Sequence, residues 1–180
     1  MRRVCAIVDD LYHPGDDVKA GLDAALSGDR WEVEYRHGPE FSRSDLDAAD
    51  VLCVARIGKI DPKRSDEYWM TLALEEAIDS YVRGGGAILA LHAGTASFPK
   101  DGPYRRLCAG HFVSHPEGHP KITVSPRDVD HPVLGTPDPE VHEFTINDEH
   151  YFVEVDEART CILLDASSPH GSTPAGWAHE

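Results

Sequence analysis

The sequence has no apolar run long enough to cross a bilayer, and its opening, MRRVCAIVDD, reaches acidic side chains too early for the apolar core of a secretory signal. A cytoplasmic location is therefore expected. Positive charge is sparse: 17 Lys and Arg against 32 Asp and Glu leave a net charge of −15, which repels nucleic-acid phosphates and anionic membrane surfaces and argues against both as partners. Cysteine is scarce too. Cys5, Cys53, Cys108 and Cys161 form no C-x-x-C pair, and Cys5, Cys53 and Cys161 sit in apolar strand-like runs, so reduced, buried thiols are expected. Repeats, linkers and low-complexity segments are absent, and 180 residues with 41% hydrophobic content suit one domain with a substantial core.

What is present alternates between strand and helix. RRVCAIV (2–8) and DVLCVARI (50–57) are near-continuous apolar runs, as expected of central parallel strands covered on both faces. WEVEYRH (31–37) alternates apolar and charged residues like a sheet edge. Between the first two strands, Val18, Leu22 and Leu26 recur at helical spacing behind Asp16 and Asp17, with Gly28 as the stop. Residues 66–83 place Met70, Leu74, Ile78 and Tyr81 on one helical face, and Gly84, Gly85 and Gly86 end that helix before AILAL, expected as a third central strand. The alternation implies an α/β, doubly wound, parallel sheet with right-handed crossovers. Further on, HPKITVS and TCILLDA read as strands, residues 140–155 as two short strands around Asp148, and the terminal PAGWAHE as a polar, frayed end.

Ligands of open α/β sheets bind at the carboxyl ends of the strands, where His13 (in DLYHPG) and His92 (in ALHAG) stand. The small residues Ala90, Ala93 and Gly94 give His92 the setting of an elbow that lifts a side chain out of a sheet. An imidazole there suits proton transfer near neutral pH or metal binding; it equally fits a ring that only hydrogen-bonds its loop. GHFVSHPEGHP spaces His111, His115 and His119 by four, but Pro116, Gly118 and Pro120 favour loop or strand over a helical zinc motif. His131, in a Pro-Gly turn, reads as structural. HEFTINDEHYF gathers His142, Glu143, Asp148, Glu149, His150 and Tyr151, fitting either a carboxylate-oriented imidazole or a solvated acidic turn.

The ordered set DLYHPG, GGAILALHAG, GHFVSHP, HPVLG and NDEHYF resembles the trehalose-utilisation (ThuA-like) family from Arg2 to Trp177. The resemblance implies a flavodoxin-like sheet similar to the class I glutamine amidotransferases, as one domain over residues 1–180. It also implies a role in carbohydrate catabolism beside dehydrogenases that make 3-keto derivatives of disaccharides. Amidotransferases carry a cysteine at the elbow; His92 stands there here, so glutaminase activity is not implied. Family members usually continue past the tryptophan segment into a further strand with Gly-Arg and Gly-His, whereas this chain ends at Glu180. Carried over by position, the resemblance implies catalytic roles for His92, Asp148 and Glu149 and substrate contacts from His13, His111, His115 and Tyr151. A divalent metal, zinc first, would take His13, His92 and Glu149.

Two functions stand open at this level. One is an isomerase, lyase or hydrolase moving a proton on a sugar or 3-keto-disaccharide; the other is a non-catalytic sugar-binding or regulatory protein on the same scaffold. The expected partner is a small carbohydrate, and two-fold symmetry makes a homodimer the expected assembly.

Overall fold

The computed structural model describes residues 1–134 and 143–180. They divide into two compact units, Met1–Cys108 and Ala109–Glu180.

The first unit is built on a parallel sheet of β1 (Arg2–Val8), β2 (Trp31–His37), β3 (Val51–Val54) and β4 (Ala87–Ala90), in the order β2-β1-β3-β4. Strand alternation sends Cys5 and Ile7 of β1 with Leu52 and Val54 of β3 to one core, against Leu46, Met70 and Ile78. Val4, Ala6 and Val8 with Cys53 go to the other face, against Leu22. Both faces are thus covered, which is why β1 and β3 read as unbroken apolar runs. β2 lies at one margin of the sheet, as its alternation predicts. β4 lies at the other, which corrects the expectation of a third central strand in this sheet: Leu89 is 43% exposed. An apolar run this short does not by itself distinguish a central from a marginal strand.

Helix α1 (Gly15–Ala25) follows β1 with Asp16 and Asp17 in its first turn, and Gly28 beyond it takes φ +108°. Helix α2 (Arg43–Ala48) starts at Ser42, whose N–H and hydroxyl both donate to Asp45 Oδ2, at 2.9 and 2.7 Å. Helix α3 (Leu72–Arg83) begins six residues later than the periodicity predicts. Thr71 caps it by accepting from Leu74 N, while Asp66 pairs with Lys59 at 2.7 Å in the preceding excursion, where Lys59 and Tyr68 form an antiparallel bridge. Met70 is buried just before the helix. Helix α4 (Pro103–Cys108) closes the unit.

The second unit is antiparallel. β6 (Lys121–Pro126), β7 (Phe144–Asn147), β9 (Cys161–Ser168) and β10 (Gly171–Ala178) form a sheet in the order β10-β9-β6-β7, and β5 (Gly110–Ser114) pairs with β8 (Phe152–Val155). Ile122, Val124 and Ala166 form its buried centre. β10 corrects the expected frayed end: GSTPAGWA pairs along β9, with register shifts between Pro174, Gly176 and Trp177 that absorb the proline and glycine. Among the described residues no helix is long and apolar enough to cross a membrane.

None of the four cysteines forms a disulfide. Burial pushes Cys5 up to about 11, and Cys53 and Cys108 up to about 12, so these side chains act as apolar filling.

Candidate functional site

In the first unit, the chain leaves β1 at Asp9, in the left-handed region at φ +71°, and Asp10 then turns its carboxylate inward. Oδ1 of Asp10 accepts from Tyr12 N at 2.9 Å and His13 N at 3.1 Å, and Oδ2 accepts from Ile57 N at 2.9 Å. Both oxygens also lie against His13 Nδ1, at 2.8 and 2.9 Å. The Asp10 side chain is wholly buried, at 0% exposure. Burial alone would raise its carboxyl, but the hydrogen bonds from His13, Ile57 and Tyr12 outweigh it and hold the group below the ordinary carboxylate range. A carboxylate only accepts, so Nδ1 of His13 carries a proton, and in the neutral form of the ring Nε2 carries the lone pair.

His92 stands on the turn after β4. It opens a 3₁₀ segment, His92–Thr95, at φ +43°, a conformation that L side chains adopt at a cost. The turn is closed by Gly94 N donating to Leu91 O at 2.7 Å and Thr95 Oγ1 donating to His92 O at 2.8 Å. Gly94 is obligatory, because a Cβ there would collide with the Val54 carbonyl of β3. Tyr104, fully buried, donates its hydroxyl to Gly94 O at 2.9 Å from beneath. The His13 and His92 rings meet edge to face, their centroids 5.1 Å apart at 78°. The two strand-end histidines singled out by sequence are therefore neighbours.

Arg56, on the segment after β3, belongs to the same end of the sheet. It is 4% exposed, its guanidinium lies 5.5 Å from the Trp69 ring centroid, and Gly38 leaves it room. Its Nε has no hydrogen-bond partner among the described residues. Burial pulls its proton affinity down, and the carboxylates of Asp10 and Asp9 oppose that pull. Asp10 and Arg56 are what the sequence reading missed. An acidic pair directly at the end of an apolar strand, and a lone cation inside DVLCVARI, were the available signals.

In the second unit, His115, Glu149 and Tyr151 converge. The His115 ring stacks on Tyr151 at 5.9 Å and 25°, Phe112 packs on Tyr151 at 4.3 Å, and His115 Nε2 lies 4.0 Å from Glu149 Oε1. His115 Nδ1 bonds the Pro116 carbonyl at 2.8 Å, which places the proton on Nδ1 here too. His111 belongs to the β5–β8 ladder, 3.3 Å from Glu154. Asp148 braces its own turn by accepting Glu149 N at 2.8 Å. His150 is 1% exposed, bonded through Nδ1 to Ser168 Oγ at 2.7 Å, and burial lowers its proton affinity, so it serves the interior. His131 accepts Val133 N at 3.2 Å, the structural role its turn suggests. His142 lies outside the described residues.

Chemically, an imidazole whose Nδ1 proton is held by a buried carboxylate can take a proton at Nε2 and spread the resulting charge into the pair. A second imidazole beside it can relay that proton or share a cation. No cysteine stands on the turn at residue 92, and the four present lie in β1, β3, α4 and β9.

Comparison with known proteins fits this description. The chain covers 98% of itself and 76% of a ThuA-like protein from Bacteroides uniformis at 14% identity, with a TM-score of 0.69. It covers 99% of itself and 71% of a glutamine amidotransferase from Thermotoga maritima at 11% identity and TM-score 0.63. For a glutamine amido transferase from Methylobacillus flagellatus the shares are 99% and 65%, the identity 12% and the TM-score 0.57. At these identities the likeness is one of fold: an α/β, glutamine amidotransferase-like architecture, consistent with a flavodoxin-like sheet. No curated protein matches the sequence. The family model described as ThuA, trehalose utilisation, matches residues 11–180, so the chain belongs to the ThuA family.

Proposed function

We propose that this protein works in carbohydrate catabolism on a sugar or a 3-keto-disaccharide, moving a proton by imidazole and carboxylate. The observation that carries the reading is the Asp10–His13 pair, closed at 2.8 Å, set edge to face against His92 on the strained turn. The family's description, trehalose utilisation, supplies the substrate class. A keto group acidifies the neighbouring C–H, so a base working near neutral pH is matched to abstraction beside the carbonyl, and isomerisation or elimination follows from the same step. His13 takes the proton at Nε2, Asp10 stabilises the charged ring, and His92 delivers or relays. The roles of Asp148, Glu149, His111, His115 and Tyr151 rest on the family resemblance. A metal-assisted form of the reading takes His13 and His92 as imidazole donors to zinc, with Glu149 added by resemblance alone.

The test is incubation of wild type, His13→Ala and His92→Ala with a panel of disaccharides and their 3-keto derivatives. Turnover by wild type, reduced about 100-fold or more in each variant, is expected. Equal turnover by all three removes these histidines from the mechanism, and binding without turnover by wild type marks a sugar-binding protein instead. Metal analysis of the purified chain, with loss of zinc in His92→Ala, tests the metal-assisted form.

A further inference from the structure

None of the candidate site residues described above lines a further concave feature of the first unit, a depression of about 680 Å³ at the start of α3. Its walls are largely apolar. Ile60 and Leu72 stand at it 43% and 62% exposed, Met70 lines it almost wholly buried, and Tyr68 and Pro99 add ring surface. Exposed aliphatic side chains on either hand of a hollow give an apolar body something to cover.

A carboxyl group also lines this hollow. Glu75 is 2% exposed, and its Oε2 accepts Tyr104 N at 3.0 Å. Gly102 accommodates it, since a Cβ there would run into Oε2. The donor it has is a neutral backbone N–H, and burial raises the carboxyl above its ordinary range, with Tyr104 N and the more distant charge of Arg106 pulling the other way. A buried carboxyl so placed gains from a cation that comes to it. Glu67 and Asp101 put two more acids on the lining, against one ammonium, the exposed Lys100. Three acids to one base, within apolar walls, select a positive charge on an apolar carrier.

We propose that this depression is a binding site for an organic ammonium ion, a primary amine on an alkyl or aryl body, with Glu75 receiving the ammonium and Ile60, Met70 and Leu72 covering the carrier. The site is independent of the proton-transfer reading, since it uses none of its residues.

Calorimetric titration of the full chain with n-butylammonium and benzylammonium chloride, at constant ionic strength, tests it, with n-butanol and benzyl alcohol as neutral counterparts. Saturable binding of the ammonium ions is expected, at least tenfold tighter than the alcohols. It should weaken at least tenfold in Glu75→Gln, whose amide oxygen still accepts Tyr104 N, and in Leu72→Lys, which places a cation at the exposed mouth. Equal binding of amines and alcohols overturns the proposal, as does binding unchanged in both variants or no saturable binding. Should Glu75→Gln lose its cooperative melt, Leu72→Lys decides, because residue 72 is exposed and its exchange leaves the core intact.

Discussion

The two units each set an imidazole beside a carboxylate, and they do it by opposite means. In the first, Asp10 is wholly buried and fastened by three backbone N–H groups, one from Ile57 across the sheet, before it touches His13. In the second, His115 is held by ring stacking on Tyr151, its side chain is 38% exposed, and Glu149 stands 4.0 Å away. Strain follows the same division. Asp9, His92 and Ser97 take positive φ in the first unit; in the second, Ala109 is the non-glycine residue that does so among those described. A parallel sheet sends its strand ends into loops that other strands' backbone groups can clamp, so precision there comes from the main chain. Antiparallel hairpins leave their side chains to be positioned by one another.

The largest effect should come from breaking the clamp. Asp10→Ala leaves three backbone donors and a ring proton without their acceptor and should cost about 3 kcal/mol of unfolding free energy, read from urea midpoints. A loss below about 1 kcal/mol would show that water replaces the carboxylate and that the clamp is weaker than its geometry. The corresponding blow to the second unit, His115→Ala, removes one stacked, part-exposed ring and should cost about 1 kcal/mol or less in the same measurement.

Strain at the elbow gives a prediction of opposite sign. His92→Gly frees φ +43° from its Cβ penalty and should stabilise by up to about 1 kcal/mol while abolishing the proposed turnover. If the variant is less stable than wild type, the ring earns its place by packing and the strain argument fails.

Acid sharpens the comparison at a smaller scale. Asp45 is held below its ordinary value of 3.8 by hydrogen bonds, first from Ser42 and then from Arg36, against the opposing effect of burial; Asp165 is held down chiefly by Arg127. Both contribute stability that is complete above the unfolded carboxylate value and is lost as pH falls through the lower folded value. Glu75 runs the other way: its raised folded value gives a contribution present at low pH and lost as pH rises through it. Melting temperature followed from pH 7 to 3 should therefore fall less steeply in Asp45→Asn than in wild type. Arg127→Ala, which breaks a pair 40% exposed on each side, should shift stability by only about 0.5 kcal/mol, and an effect above about 1.5 kcal/mol would show that the second unit is clamped after all.

Much of the first unit was legible because its signals are local. β1 and β3 are apolar on both faces, α1 and α3 carry a helical stripe, and strand ends point to His13 and His92. Where reading failed, the deciding contact was distant or the pattern ambiguous. Met70 keeps the helical spacing, yet Thr71 caps the helix after it. β10 is rich in residues that rarely build strands, and only its pairing with β9 makes it one. Adjacent residues in NDEHYF look alike in sequence, but Glu149 remains partly exposed while His150 turns into the core, a choice of face that a local string does not state. Asp10 could be seen, but its role depends on an N–H 47 residues away.

The turn that carries His92 takes its shape from Gly94 pressed against the Val54 carbonyl and from Tyr104 beneath it, neither of which involves the ring at residue 92. The backbone is thus a socket, and the side chain at its tip is a replaceable fitting. Residue 92 can therefore be exchanged without disturbing the contacts that shape the turn, so the same backbone can present a different side chain at this point.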